Sequence, residues 1–351
     1  MTPIQEVAMR ARVSVATVSR VLNNSTGVKQ ETRIKVLQAM KDLHYRPNLS
    51  GRFLRKNETR LILVLLPTIS NPFYAKAIKG IQDVADNSGY LIMICNTESN
   101  TKKEIEFINL AKNRLADGII IMSQELDVAE FREIIQDVSV IQCFEYDDHP
   151  DISYVSIDNE KAAYDAVEHL VKLGHQRVGL LSVNAHYLSA RHRENGYRKA
   201  LADAHMTIDE SLIARGSYRY KSGYENAIQL LTSQCPPTAI FAVSDVLAIG
   251  AVKAIKSLGL SVPEDVSVMG FDNIYFSSMY SPSISTVSQP AYQIGEKAME
   301  LLIDMMKGEK KLDQHILLDH HLIIRESTAC LRQMDIHFAS TLAWHRPDDD
   351  S

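Results

Sequence analysis

From Leu61 onward, short apolar runs and amphipathic helical stretches take turns, and few folds accommodate that rhythm. Residues 61–66 are apolar and stop at Pro67. Residues 75–88 have helical spacing and close at Gly89, and 90–95 are apolar again. Helical 102–115, apolar 118–122, helical 128–137 and apolar 138–144 continue the alternation. Strands that read as unbroken apolar runs are buried on both faces, which predicts an α/β fold with a parallel sheet between helical layers. The rhythm then restarts, with strands at 154–157, 177–181, 239–243 and 266–271 and helices at 162–173, 191–204, 222–231 and 246–258. Two such units in succession, each the size of a domain, predict two lobes with a cleft between them. Ligands of open α/β sheets bind beyond the carboxyl ends of the strands. Ser70-Asn71, Asp158-Asn159, Ser244-Asp245 and Asp272-Asn273 all fall at such ends, although any one of them could be only a helix cap.

Residues 1–60 follow a different pattern. Residues 4–22 read as a helix, a tight turn and a second helix; Ser14 is a good N-cap for the segment 15–22. A third helix over about 30–43 is expected to turn Ile34, Val36, Leu37 and Met40 toward the other two. Arg12 occupies the turn position where glycine is common, and a positive φ there costs roughly 1–2 kcal/mol. Helix pairs of this kind set side chains against base edges in the major groove. The charge agrees: residues 1–60 carry a net +8, whereas 61–351 carry −13 within a total of −5. A basic head neutralises phosphates and releases counterions. After Arg46-Pro47-Asn48, residues 49–56 are too short and too polar to hold a helix unaided, so folding on DNA is the expected state.

The rest of the composition excludes several classes. At 45% hydrophobic and 23% charged, the chain is ordinary for a soluble protein, and no apolar run approaches the ~20 residues a membrane span requires. An export signal is not evident at the start, and no membrane partner is expected. Cys95, Cys143, Cys235 and Cys330 are far apart with no Cys-x-x-Cys, which fits reduced thiols of a cytoplasmic protein. His320-His321 would alternate faces of a strand, and no histidine spacing suggests a metal; no metal and no cofactor are expected. An enzyme acting on sugars or nucleosides would need a Gly-x-Ser-x-Gly, a phosphate loop or a metal motif, none of which is present. A solute-binding transport protein would share the two lobes but has no use for a DNA-reading head.

Several segments resemble the LacI/GalR family of bacterial transcription regulators. They are Glu6-Val-Ala, Val13-Ser-Val-Ala-Thr-Val-Ser-Arg-Val-Leu-Asn23, Tyr45-Arg-Pro-Asn48 and Asn71-Pro-Phe-Tyr74. Further along come Leu173-Gly-His175, Arg193-x-x-Gly196-Tyr197, Ser244-Asp245 and Gly270-Phe-Asp-Asn273. The likeness runs in order over about residues 4–329. Within the family, residues 51–60, Ile62-Leu-Val64 and Gly270-Phe-Asp-Asn-Ile274 look most like the nucleoside-responsive, cytidine-repressor branch. The resemblance implies a helix-turn-helix domain (1–47), a hinge helix (48–59) and a two-lobed, periplasmic-binding-protein-like core of parallel sheets that dimerises (60–329). Residues 330–351 extend past the family pattern and are expected to form a loosely ordered acidic tail.

It also implies roles. Val15, Ala16 and Arg20 match the family's base-reading positions. Arg20 can pair with guanine through two hydrogen bonds, whereas Val15 and Ala16 offer methyl contact, for instance to thymine. Ser14, Thr17 and Ser19 can fix register on phosphates, with Asn48 and Arg52 of the hinge. Leu54 matches the leucine that wedges into a minor-groove base step, with bulky Phe53 beside it. In the cleft, Arg193 and Asp272 match the pair that holds sugar hydroxyls. Phe73, Tyr74 and Tyr218 match aromatic positions that would favour a flat-faced ligand, a nucleoside over a bare sugar. Asn71, Asp158, Asn159, Asp245 and Gln289 are further candidates that could equally be caps or hinge residues, and His192 could line the cleft or be a rim histidine. The expected partners are double-stranded, near-palindromic operator DNA, a nucleoside or sugar effector and a second copy of the chain.

Overall fold

The computed structural model describes residues 3–22, 27–45, 58–146, 152–184, 187–308 and 314–331. The chain forms two compact units that part between Thr59 and Arg60.

In the first unit, α1 (Pro3–Arg10), α2 (Val15–Leu22) and α3 (Gln30–Asp42) enclose a core of Val7, Ala8, Ala11, Val18, Val21, Val36 and Ala39. The turn between α1 and α2 closes through hydrogen bonds from Ala11 and Val13 to the Val7 and Ala8 carbonyls, with Arg12 left-handed at φ 53°. Ile34 and Leu37 do not face the core as their apolar character suggested; they are 58% and 51% exposed. Val36, Ala39 and half-buried Met40 form the inward stripe of α3. Leu37 lies about 100° round the helix from Val36, and Ile34 further still.

The second unit contains two six-stranded sheets. Strands β1 (Leu61–Leu66), β2 (Leu91–Asn96), β3 (Gly118–Ile121), β4 (Val140–Cys143) and β5 (Tyr154–Ile157) build the first. Helices α4 (Phe73–Ser88), α5 (Thr101–Lys112) and α6 (Val128–Ile134) connect them. The second lobe begins with α7 (Asn159–Lys172), β6 (Val178–Val183), α8 (Leu188–Asp203), β7 (Ile213–Gly216) and α9 (Tyr220–Leu231). It continues with β8 (Ala239–Ala242), α10 (Asp245–Ser257), β9 (Ser267–Asp272), α11 (Tyr275–Met279) and β10 (Ser285–Ser288). Then α12 (Ala291–Met306) and β11 (His315–Leu318) follow, and β12 (His321–Ile323) ends the series.

The strand orders are β11-β5-β4-β3-β1-β2 and β12-β10-β9-β8-β6-β7. Among the described residues, all pairings are parallel except β10 with β12. The two lobes are therefore not simply successive. After β10 the chain returns to the first lobe, where α12 packs on α4 and β11 joins β5, and only β12 goes back. Among the described residues three crossovers connect the lobes, at residue 158, at 289–290 and at 319–320. The apolar pattern cannot reveal this, because a parallel strand added to either sheet reads alike.

Helices cross closely where glycine permits. A Cβ on Gly196 of α8 would lie 2.2 Å from the Glu160 carbonyl of α7, so any larger residue would push the pair apart. That crossing fixes α8, one turn from Arg193, against the rest of the second lobe. No helix among the described residues is long and apolar enough to cross a membrane. Cys95 and Cys143 are buried free thiols, and Cys235 and Cys330 are exposed.

Candidate functional site

Helix α2 begins at Ser14, whose Oγ accepts the Thr17 N–H at 3.1 Å and shares a 2.9 Å hydrogen bond with the Thr17 hydroxyl. The cap supplies a partner for an N–H that the first helical turn leaves unpaired. Val18, Val21 and Leu22 turn inward, which leaves Val15, Ala16 and Arg20 exposed on the opposite side with Ser19 beside them. Val15 is an apolar side chain 38% open to solvent. Asn48, Arg52 and Leu54 lie outside the described residues, as do the acidic residues of the C-terminal tail.

In the core unit, Arg193 projects from α8 and is 4% exposed. Its Nε donates to Asn159 Oδ1 at 2.9 Å and its Nη1 to the Val243 carbonyl at 2.6 Å. The guanidinium lies 3.7 Å over the Phe271 ring, and Nη1 is 3.7 Å from Asp272 Oδ1. Asp272 ends β9 in the left-handed region at φ 112°, an uncommon conformation for a residue with a side chain. Gln289, at the second crossover, donates Nε2 to Asp272 Oδ1 at 2.8 Å, while its own Oε1 is buried with no hydrogen-bond partner among the described residues. A buried acceptor left open is costly, and a ligand donor would satisfy it.

The first lobe contributes rings. Phe73 packs edge-on to Tyr74 at 5.3 Å and to Phe144 at 4.6 Å. Across from them Tyr218 meets Tyr187 edge-on at 5.3 Å. Burial holds the Tyr74 hydroxyl well above its usual range, and the charges of Glu145, Tyr218, Asp272 and Tyr187 push the same way. Those neighbours come from both lobes, and Tyr218 in turn feels the charges of Arg193 and Asp272. Burial raises the Asp272 carboxyl to about 8, against the pull of Arg193. Burial outweighs the arginine because the guanidinium donates hydrogen bonds to Asn159 and Val243 and stays 3.7 Å from the carboxylate.

Other candidates serve as supports. Asn71 Oδ1 accepts the Phe73 N–H at 3.1 Å and sets the turn into α4. Asp158 is exposed at the first crossover, where its Oδ1 caps α7 by accepting the Lys161 N–H at 2.8 Å. Asp245 is fully buried beneath the site, accepting from Thr286 Oγ1 at 2.6 Å and Ile274 N–H at 2.9 Å. Burial lifts its carboxyl to about 6. It pins the segment that follows Asp272. Asn159, also buried, orients Arg193. His192 is half-buried and stacks on Tyr146 at 5.5 Å. Sequence reasoning missed Glu145, Tyr187 and Ser189, which link the lobes beside the site. No recurring motif marks them; the end of the apolar run at 138–144 was the only signal.

Comparison with known proteins places this geometry. Residues 3–48 match the domain of bacterial regulatory proteins of the lacI family, and 167–328 match a periplasmic binding protein-like domain. The chain is 38% identical over 329 residues to the HTH-type transcriptional repressor CytR of Escherichia coli K12, covering 93% of this chain and 96% of that protein. The Lac repressor dimer bound to operator and the anti-inducer ONPF superposes with a TM-score of 0.82 at 29% identity, over 92% of this chain and 98% of that one. The transcriptional regulator CelR in complex with cellobiose gives 0.72 at 27%, over 92% and 99%. The chain belongs to the LacI family of bacterial regulatory proteins and is a DNA-binding transcription regulator, not an enzyme.

Proposed function

We propose that this regulator is a homodimeric repressor that holds a near-palindromic operator until a nucleoside enters the cleft and releases it. The observation that carries the effector class is the pairing of Tyr74 and Tyr218 with Arg193, Asp272 and the open Gln289 acceptor. Rings suit the flat face of a base, and the polar set suits the vicinal hydroxyls of a ribose. On the DNA side, exposed Val15, Ala16 and Arg20 read base edges, and Ser14, Thr17, Ser19, Asn48 and Arg52 position the head on phosphates. Leu54 supplies the minor-groove wedge. The protein acts in the cytoplasm, where its operator lies.

Two exposed apolar faces support the dimer. Edge strand β2 presents Leu91, Met93 and Ile94, 70%, 46% and 47% exposed, and α11 presents Tyr275, Phe276 and Met279. Contiguous exposed apolar surface of this kind marks association sites, and the Lac repressor relative is a dimer on its operator. A sugar is the second reading, favoured by the cellobiose complex of CelR. A thermal-shift screen of cytidine, uridine, adenosine, ribose and cellobiose, followed by operator release with each hit, decides between them. Stabilisation by sugars alone overturns the nucleoside reading, and tighter operator binding with a hit overturns release.

A further inference from the structure

Helices α5, α6, α7 and α10 are capped by the side chain just before them: Asn100, Asp127, Asp158 and Ser244. Helix α8 is not. Tyr187 stands at its N-cap position and makes no capping hydrogen bond. The acceptor comes from the other lobe. Glu145, just past β4, takes the Ser189 N–H on Oε2 at 3.0 Å and the Ser189 hydroxyl on Oε1. A tight turn aims it there: the Glu145 N–H bonds the Cys143 carbonyl at 2.8 Å around Phe144 at φ 68°, the rare form of the three-residue turn. A second bond between the lobes meets the same helix end, Ser99 Oγ to the Tyr187 hydroxyl at 3.2 Å.

We propose that Glu145 is a positioning residue that latches the cleft shut by capping, from the first lobe, the helix that carries Arg193. A carboxylate at a helix N-terminus pairs with an otherwise unpaired N–H and meets the positive end of the helix dipole. Here both gains exist only while the lobes are together. Opening the cleft therefore removes the cap from α8, and closing it orders the first turns of the helix from which Arg193 reaches its partners. Closure and preparation of the polar anchor become one event. An effector that touches Tyr74 on one lobe and Arg193 on the other binds the closed arrangement, so the latch raises the fraction of protein competent to bind. This consequence rests on the effector reading above; the latch itself does not.

The test uses the full chain with Cys235→Ser and Cys330→Ser, and with spin labels introduced through Asp86→Cys and Lys221→Cys, exposed positions on opposite lobes. Pulsed dipolar distances are measured without ligand. Glu145→Ala should raise the long-distance population at least fivefold. Glu145→Gln, which keeps an acceptor oxygen, should fall between it and the parent. Ser189→Ala combined with Glu145→Ala should add little to Glu145→Ala alone, because both remove one contact. Distances in Glu145→Ala that superpose on the parent overturn the proposal, and so does full additivity of the two substitutions. If Glu145→Ala fails to fold, Glu145→Gln decides by the same criterion. In a second arm, cytidine affinity should fall five- to fiftyfold in Glu145→Ala. Failure of cytidine, uridine and adenosine alike to bind the parent overturns the nucleoside reading, and the distances then decide the latch by themselves.

Discussion

The side chains proposed to read DNA and those proposed to read the effector sit in opposite surroundings. Val15, Ala16 and Arg20 are exposed on an eight-residue helix, whereas Arg193 and Asp272 are 4% and 7% exposed inside an α/β core. The difference follows from the two partners. DNA is a highly charged polymer, and a protein gains affinity for it largely by releasing counterions from an open basic surface. A small molecule has few atoms to contribute, so its site must be oriented and dehydrated beforehand. The core therefore carries the desolvation of its polar residues as a standing cost of folding. Substitutions of the exposed reading residues should change DNA binding and leave stability alone, and substitutions in the cleft should change both effector binding and stability.

The strongest challenge to that contrast is Arg193→Ala. It leaves Asp272 buried beside Gln289 and strips a donor from Asn159 and from the Val243 carbonyl. Each buried acceptor left without its donor costs about 1–3 kcal/mol. Urea denaturation of the core should show that loss, and an unchanged midpoint would show that the pair is not held as described. Arg193→Lys should recover little, because an ammonium cannot reach Asn159 and Val243 in the same fork.

The next largest effect is on pH dependence. Burial lifts Asp272 to about 8, Glu104 to about 7 and Asp245 to about 6. In the unfolded chain such carboxyls ionise near 4, so between those values the native state binds protons that the unfolded state has released. Stability contributed by these groups is then full at low pH and is lost as pH rises through their folded values. The melting temperature of the core should fall by several degrees from pH 5 to pH 8. Asp272→Asn should flatten the upper half of that slope. A melting temperature that climbs across the range would contradict the buried-carboxyl account.

The fold was legible where local chemistry sufficed. Unbroken apolar strands announced the parallel sheets, and Ser14 and Asp158 stood where helices needed acceptors. The placement of Arg193 was legible through Arg193-x-x-Gly196, whose glycine is required by the crossing with α7. Long-range placement was not legible. The return of α12 and β11 to the first lobe depends on which sheet edge is free, which no residue near them records. Glu145 escaped notice because its partner, Ser189, is 44 residues away and its aim depends on the left-handed turn at Phe144. Ile34 and Leu37 misled because hydrophobicity says that a residue can be buried, while helical phase decides whether it is.

The head side of the contrast is tested by Arg20→Ala and Arg52→Ala. Arg20→Ala should cost about 1–3 kcal/mol of discrimination at one base pair. It should leave unfolding within about 0.5 kcal/mol of the parent, as expected for an exposed side chain. Arg52→Ala should weaken binding to all sequences and lower the salt slope by about 0.9. Equal loss on every sequence for Arg20→Ala would demote it from reading bases to holding phosphates.

Ser14→Ala gives the smallest effect and the finest probe, because Ser14 has both a structural and a proposed binding role. Losing the bond to the Thr17 N–H should cost about 1 kcal/mol of local stability in α2. Amide hydrogen exchange in the full chain reads that cost, since protection should drop across α2 while the strands of the core keep theirs. Operator and unrelated DNA should then lose affinity by the same factor, because a frayed helix start misplaces Val15, Ala16 and Arg20 together. A loss confined to operator DNA with exchange unchanged would instead assign Ser14 to base recognition, and the separation between capping and reading residues on this helix would fail.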